Sequence, residues 1–252
     1  MRASAFASDF DGTLCESDWN LGIEHFDPQD IEAVRRYQAA GGLFGICTGR
    51  PLDSILTSLK GKIDLDFYIV TTGAQVLDAQ LQPIRVRTID REVTKTLYEE
   101  YAREGMGFIV VTDTQFASVG SAPGPGIVEL SGLDEVEGPI YDVSLEYMGD
   151  EDAARSACEQ INDRFGSVIA AFQNLGSVDI VPAGCSKGSG VRCVREALGA
   201  ERMGGIGDSY NDLPLLEAVD VAYTFHSSPK EVREAASVLV DSVAQALEHF
   251  VQ

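Results

Sequence analysis

The chain has 252 residues, with 40 Asp and Glu against 19 Lys and Arg and a formal charge of −21; that length exceeds the ~100–200 residues of one ordinary domain. The negative excess opposes long nucleic acids and anionic membrane surfaces as partners, and a 44% hydrophobic content excludes disorder as the source of the acidity. No apolar run approaches the ~18 residues of a membrane span, the opening MRASAFASDF lacks the apolar stretch of a secretory leader, and the five cysteines (Cys15, Cys47, Cys158, Cys185 and Cys193) form no C-x-x-C pair. A cytoplasmic protein with reduced thiols is expected.

In chain order, Ala3–Phe10 reads as a short buried strand ending in an acidic loop. Pro28–Ala40 carries Ile31, Val34 and Tyr37 at helical spacing and stops at Gly41-Gly42. Gly42–Cys47 reads as a second strand, Pro51–Leu59 as a helix with Pro51 in its first turn, and Phe67–Val70 as a third strand. Alternating strands and helices predict a parallel sheet covered on both faces. After Gly73 the pattern changes to neighbouring short strands at Pro83–Ile89, Gly107–Thr112, Gln115–Val119, Tyr141–Tyr147, Val168–Phe172 and Val178–Val181, with helices at Arg91–Arg103 and Glu151–Phe165. That pattern predicts a separate α+β unit, and Ser121–Gly126 an exposed loop within it. Alternation returns with helix Lys187–Leu198, strand Met203–Gly207, helix Asn211–Val219, strand Val221–Phe225, helix Pro229–Ala236, strand Val238–Val240 and helix Ser242–Phe250. The expected fold class is α/β: a Rossmann-like parallel core of residues 1–80 and 182–252, interrupted by an α+β insertion of residues 81–181.

Three short motifs fall where strands of the core end, and a fourth opens the helix that follows the insertion. Asp9-Phe10-Asp11-Gly12-Thr13 places two carboxylates two residues apart, able to face one site at the carboxyl edge of the sheet. Such a pair repels unless a cation sits between the groups or one keeps a proton; a magnesium ion satisfies it with oxygen ligands, and a plain capped turn is the alternative. Thr48-Gly49-Arg50 offers a hydroxyl and backbone N–H groups before a helix, an anion site or a simple strand-to-helix turn. Lys187 opens a helix whose N-terminal dipole is already positive, so an anion nearby or free water must satisfy it. Gly207-Asp208-Ser209-Tyr210-Asn211-Asp212 gathers three carboxylate or amide side chains (Asp208, Asn211 and Asp212) in one turn, beyond what a helix cap requires.

The order of these motifs resembles the haloacid dehalogenase superfamily of aspartate-nucleophile phosphatases, through DFDGT, CTGR, the SKG lysine and GDSYND. The long insertion looks like the α+β cap of the Cof-type branch. The resemblance implies Asp9 as nucleophile and Asp11 as the acid that protonates the leaving oxygen and then activates water. It implies Mg2+ held by Asp9, the backbone carbonyl of Asp11 and Asp208, supported by Asn211 and Asp212, with Thr48, Gly49 and Lys187 on the phosphoryl oxygens. The implied partner is a small phosphate ester, such as a sugar phosphate, with no nucleic acid or membrane, in a monomer or homodimer. A phosphomutase or phosphotransferase using the same nucleophile, and a catalytically silent metal-binding relative, share these motifs. Two positions depart from the branch: Thr72-Gly73 stands where Asn-Gly is common, and Phe225-His226-Ser227 where Asn-Ala is common. His25, His226 and His249 are expected in surface or packing roles, and Cys15 and Cys47 as inert buried thiols.

Overall fold

The structure, a computed structural model, describes residues 4–18, 21–102, 106–120 and 126–252. The chain divides into two compact units, one built from residues up to Asp18, Ile23–Val86 and Ser186–Gln252, the other from Arg87–Cys185 and the short segment ending at Gly22.

The first unit opens with β1 (Ser4–Ser8), a hairpin of β2 (Glu16–Asp18) and β3 (Ile23–His25), α1 (Pro28–Ala39), β4 (Leu43–Cys47), α2 (Leu52–Leu59), β5 (Phe67–Val70), β6 (Gln75–Asp78) and β7 (Pro83–Val86). The second contains α3 (Arg91–Tyr101), β8 (Gly107–Val111), β9 (Phe116–Val119), β10 (Val128–Leu130), β11 (Asp142–Glu146), α4 (Glu151–Phe165), β12 (Ile169–Asn174) and β13 (Ser177–Pro182). The chain then returns to the first unit with α5 (Lys187–Leu198), β14 (Arg202–Ile206), α6 (Leu213–Ala218), β15 (Val221–Phe225), α7 (Lys230–Ala235), β16 (Val238–Val240) and α8 (Val243–Phe250).

The large sheet runs β16-β15-β14-β1-β4-β5-β6-β7. It is parallel from β16 to β5 and antiparallel at β6 and β7. The SAFAS sequence of β1 explains its central place, because the strand is buried on both faces. Phe6 joins the cluster of Phe44, Tyr37 and Phe250 on the side of α1 and α8; Ala5 and Ala7 face Ile69, Val191, Val194 and Leu215 on the side of α5 and α6. From β1 the chain proceeds to β4 on one flank and, much later, to β14 on the other. Strand order therefore reverses beside β1, the position where open α/β sheets hold ligands at their carboxyl edge.

In the second unit a six-stranded sheet, ordered β10-β9-β8-β11-β13-β12, is antiparallel except where β10 joins β9. Leu97 of α3 and Ile161 of α4 pack with Phe108, Val110, Val143, Leu145 and Ile180 of the sheet. This is the α/β core with an α+β insertion that the strand pattern predicts.

Local departures have physical causes. The strand expected in the insertion at Pro83–Ile89 is the shorter β7 and closes the edge of the large sheet against β6. The connecting turn is set by Asp78, whose Oδ1 accepts from the N–H groups of Gln80 and Gln82 at 2.9 and 2.8 Å. The helix expected from Asn211 to Val219 begins as a 3-10 turn over Tyr210–Asp212 and is α-helical only over Leu213–Ala218, since the Asp212 side chain is turned inward. The β2–β3 hairpin, β6 and β10 carry too few apolar alternations to be read as strands. Ala3, Arg103 and residues 121–125 of the expected Ser121–Gly126 loop lie outside the described residues.

Candidate active site

Asp9 follows β1 directly, and its N–H still donates to the Ile206 carbonyl of β14 at 2.9 Å, so the nucleophile candidate is fixed by the sheet itself. The chain then turns at Gly12, with φ 76°. A Cβ at this position would stand 2.8 Å from Oδ2 of Asp208, so both the turn and the close approach of the two acidic loops require glycine. Thr13 fastens that approach by donating its hydroxyl to Oδ1 of Asp208 at 2.8 Å.

The anion that the position of Lys187 calls for comes from the protein. Lys187 is only 1% exposed. Its Nζ donates to Oδ1 of Asp9 at 2.8 Å and to Oδ1 of Asp212 at 2.5 Å. Helix α5 is held in place beneath it by a reciprocal cap between Ser186 and Ser189. Oδ2 of Asp212 accepts from the N–H groups of Asp208 and Ser209 at 2.9 and 3.0 Å. Asp212 therefore spends both oxygens, one on the lysine and the other on the turn that presents Asp208.

Oxygen atoms of Asp9, Asp208 and Asp212 lie within 4.8 Å of one another, and one ammonium serves the three carboxylates. Burial, then the Asp212 charge, pushes the Asp9 carboxyl well above the usual range, with Lys187 pulling the other way. Burial and Asp212 likewise push Asp208 up to about 6. Burial acts to lower Lys187, but the charges of Asp212 and Asp9 outweigh it and hold the ammonium above its ordinary value. A buried oxygen-donor set short of positive charge fits a hard divalent cation.

Asp11 departs from the crowded pair expected with Asp9. Its carboxylate lies on the Arg50 guanidinium, Oδ1 on Nη2 at 2.5 Å and Oδ2 on Nε at 2.7 Å. This two-point fork is the preferred geometry of the two groups. Arg50 also donates from Nη1 to Oε1 of Glu24 at 2.5 Å and from Nη2 to the Ser17 hydroxyl at 2.9 Å, tying in the β2–β3 hairpin. Its guanidinium carbon sits 4.6 Å from the centre of the Phe10 ring. Sequence reasoning used Thr48 and Gly49 of this motif and missed Arg50. The available signal was an arginine at the sheet edge beside DFDGT, since a buried arginine requires carboxylate partners.

Thr48 is buried after β4; its N–H donates to the Ile69 carbonyl at 2.8 Å and its hydroxyl accepts from the Arg50 N–H at 3.1 Å. Gly49 lies between these two residues in the same loop. Asn211 is buried in the turn beside Asp212. Of the departures from the family pattern, Thr72 is buried and left-handed, whereas His226 and Ser227 are exposed. Behind them, Thr224 donates its hydroxyl to the Gly207 carbonyl at 2.6 Å. His25 is exposed, and Nδ1 of His249 lies 2.9 Å from the Tyr223 hydroxyl. Both thiols of Cys15 and Cys47 are buried and unbridged, and burial pushes Cys47 up.

A family model for haloacid dehalogenase-like hydrolases matches residues 6–122 and 128–247. An HMP-PP phosphatase of an Enterobacter strain is 24% identical, covering 86% of this chain and 81% of its own. A haloacid dehalogenase-like hydrolase from B. subtilis superposes with a TM-score of 0.82 at 16% identity, covering 98% and 96% of the two chains. A subclass IIB sugar phosphatase does so with a TM-score of 0.81 at 18% identity, covering 99% of each. Among the described residues no helix is long and apolar enough to cross a membrane.

Proposed function

The chain belongs to the haloacid dehalogenase-like hydrolases, and from that membership we propose that it is a magnesium-dependent phosphatase of a small phosphorylated metabolite, working through an aspartyl-phosphate on Asp9. The observation that carries the reading is the buried Asp9 carboxylate, pinned by Lys187 and crowded by Asp208 and Asp212 at the reversal point of the sheet. Relatives named for HMP-PP and for sugar phosphatase activity support a phosphate ester as substrate, and sugar phosphates are the first to test.

Asp9, Asp208 and the Asp11 carbonyl would hold Mg2+, with Asn211 and Asp212 shaping the turn. Bound there, the ion would neutralise phosphoryl oxygens and let an anionic nucleophile approach phosphorus. A carboxylate oxygen of Asp9 attacks phosphorus, forming the acyl phosphate as the ester oxygen leaves. Lys187, Thr48 and the Gly49 backbone stabilise charge on the equatorial oxygens. Asp11, with one oxygen released from the Arg50 fork and protonated, gives that proton to the leaving oxygen and, a carboxylate again, later takes one from the water that hydrolyses the acyl phosphate. Purified protein with Mg2+ should release phosphate from p-nitrophenyl phosphate, and a panel of phosphorylated metabolites ranked by kcat/KM should identify the substrate. Absence of release across the panel would overturn the reading.

The metal site has a pH signature. A carboxyl raised on folding from 3.8 to about 6, as Asp208 is, supports the fold fully below the lower value and withdraws that support as pH rises through the upper one. With EDTA present, the protein should therefore melt lower at pH 7.5 than at pH 5, and Mg2+ should raise the melting temperature more at pH 7.5. Equal Mg2+ shifts at both pH values would remove these carboxylates from the site.

Arg50 sets the orientation of the acid. Arg50→Lys keeps the charge but loses the fork, so turnover of an alkyl phosphate should fall ~10–100-fold, part of the range general acid catalysis supplies. Turnover of p-nitrophenyl phosphate, whose leaving group needs little protonation, should fall less. Equal losses on both substrates would limit Arg50 to a packing role.

A further inference from the structure

Beyond β5 the backbone passes through three consecutive left-handed residues, Thr71, Thr72 and Gly73, with φ of 48, 50 and 84°. Glycine adopts this region freely, but the branched Cβ of threonine does not. Strain of this kind persists only where the surroundings impose it, and it concentrates at ligand sites. Here the surroundings are the Thr48 loop and the start of α5. The Thr71 N–H donates to the Arg50 carbonyl at 3.1 Å and the Thr72 N–H to the Thr48 carbonyl at 3.0 Å. On the other side, a Cβ on Gly73 would stand 2.2 Å from the carbonyl oxygen of Ser186, the residue that caps the Lys187 helix. Arg85 locks this contact by donating to the Gly73 carbonyl at 2.7 Å and to the Ser189 hydroxyl at 2.9 Å. Thr72 is thus clamped between the two.

A second observation concerns the side chain. Thr72 is 0% exposed, and its Oγ1 has no hydrogen-bond partner among the described residues. A buried hydroxyl without a partner is costly, and valine would fill the same volume without that cost. Two penalties therefore coincide at one residue, next to the loops expected to hold phosphate. Neither penalty serves the packing of β5, whose own residues are apolar and buried.

We propose that Thr72 is a phosphate ligand: its hydroxyl donates to an oxygen of the phosphoryl group, beside Thr48 and Lys187. A hydroxyl is a competent donor to such an oxygen, and the bond to a charged acceptor supplies the partner missing from the protein. The proposal rests on the phosphatase reading and deepens it by naming the donor that this chain offers where the branch commonly has asparagine.

The test uses the full chain with saturating Mg2+, inorganic phosphate as probe, and the variants Thr72→Val, Thr72→Ala and Thr72→Ser. Phosphate affinity is read by calorimetry and as competitive inhibition, and melting temperature is measured without phosphate. Thr72→Val should melt at or above the parent temperature, because the unpartnered hydroxyl is gone, yet bind phosphate ~10–100-fold more weakly, the range for a hydrogen bond to a charged group. Thr72→Ala should lose affinity to the same degree with less backbone strain, which keeps the test decisive if the valine variant folds poorly. Thr72→Ser should restore affinity to near the parent value. Parent-like phosphate binding by Thr72→Val or Thr72→Ala, with the parent active on p-nitrophenyl phosphate, overturns this proposal alone. A parent that neither binds phosphate nor turns over ester overturns the phosphatase reading with it.

Discussion

Asp9→Asn should lower kcat for phosphate release by at least ~10⁴-fold, the scale on which removal of a nucleophile is felt, and at the same time raise the melting temperature of the metal-free protein. The two effects have one cause. Asp9 ionises reluctantly because burial and the charges of Asp212 and Asp208 oppose it, with only Lys187 in its favour. A carboxyl raised in this way stabilises the fold below its unfolded pKa and works against the fold once pH has passed its folded value. At neutral pH the carboxylate is a burden that the neutral amide relieves, and Oδ1 of the asparagine can still accept from Lys187. For a chain of this size each kcal/mol relieved appears as about 2–4 °C. Calorimetry in EDTA, with phosphate release followed in Mg2+, reads both arms. Turnover that survives the substitution removes Asp9 as nucleophile; a lower melting temperature would mean that Lys187 dominates the balance and that the cluster is not short of positive charge.

The parts of this site that are legible in the sequence are those carried by local geometry. Strand-end motifs at DFDGT, CTGR and GDSYND fix which residues reach the carboxyl edge of the sheet, because its parallel strands all end there, and SKG is legible as the start of the helix that returns the chain to that unit. Contacts made by pairing across the sheet are not legible in the same way. Arg50 lies 39 positions from Asp11, and nothing in either motif shows that the guanidinium fork takes the Asp11 carboxylate. Asp212 reads as a supporting residue of its turn, whereas both of its oxygens are committed, one to Lys187 of another helix. Thr72 is visible as a departure from the family pattern, but its left-handed backbone and unpartnered hydroxyl arise from the Thr48 loop and α5 closing around it. The edge of the large sheet is hidden for a similar reason: β7 reads as a strand, with Ile84 and Val86 alternating with Arg85 and Arg87, but its place in this sheet depends on pairing with β6 through a turn built on Asp78.

Lys187→Met should be the most damaging single substitution for stability, at roughly 3–5 kcal/mol, the usual result of removing one partner from a buried ion pair. Methionine matches the length of the stem, so the loss comes from the charge rather than from a cavity. Without the ammonium, Asp9 faces burial and the Asp212 charge with no counterweight, and its carboxyl is held still further above the ordinary range. That displacement sets the sign of the pH dependence: a more strongly raised carboxyl costs the fold progressively more as pH rises. The deficit relative to the parent should therefore be small near pH 5, where Asp9 can take up a proton, and full at pH 8. Urea unfolding at the two pH values measures it. A second variant separates charge from shape: in Lys187→Met/Asp212→Asn, one of the two stranded carboxylates is gone, and the amide oxygen can still accept from the N–H groups of Asp208 and Ser209. The double variant should recover part of the stability lost by Lys187→Met, giving a positive coupling between the two sites. A deficit independent of pH, or a double variant no more stable than the single, would show that Lys187 acts by packing and that Asp9 does not depend on it for its charge.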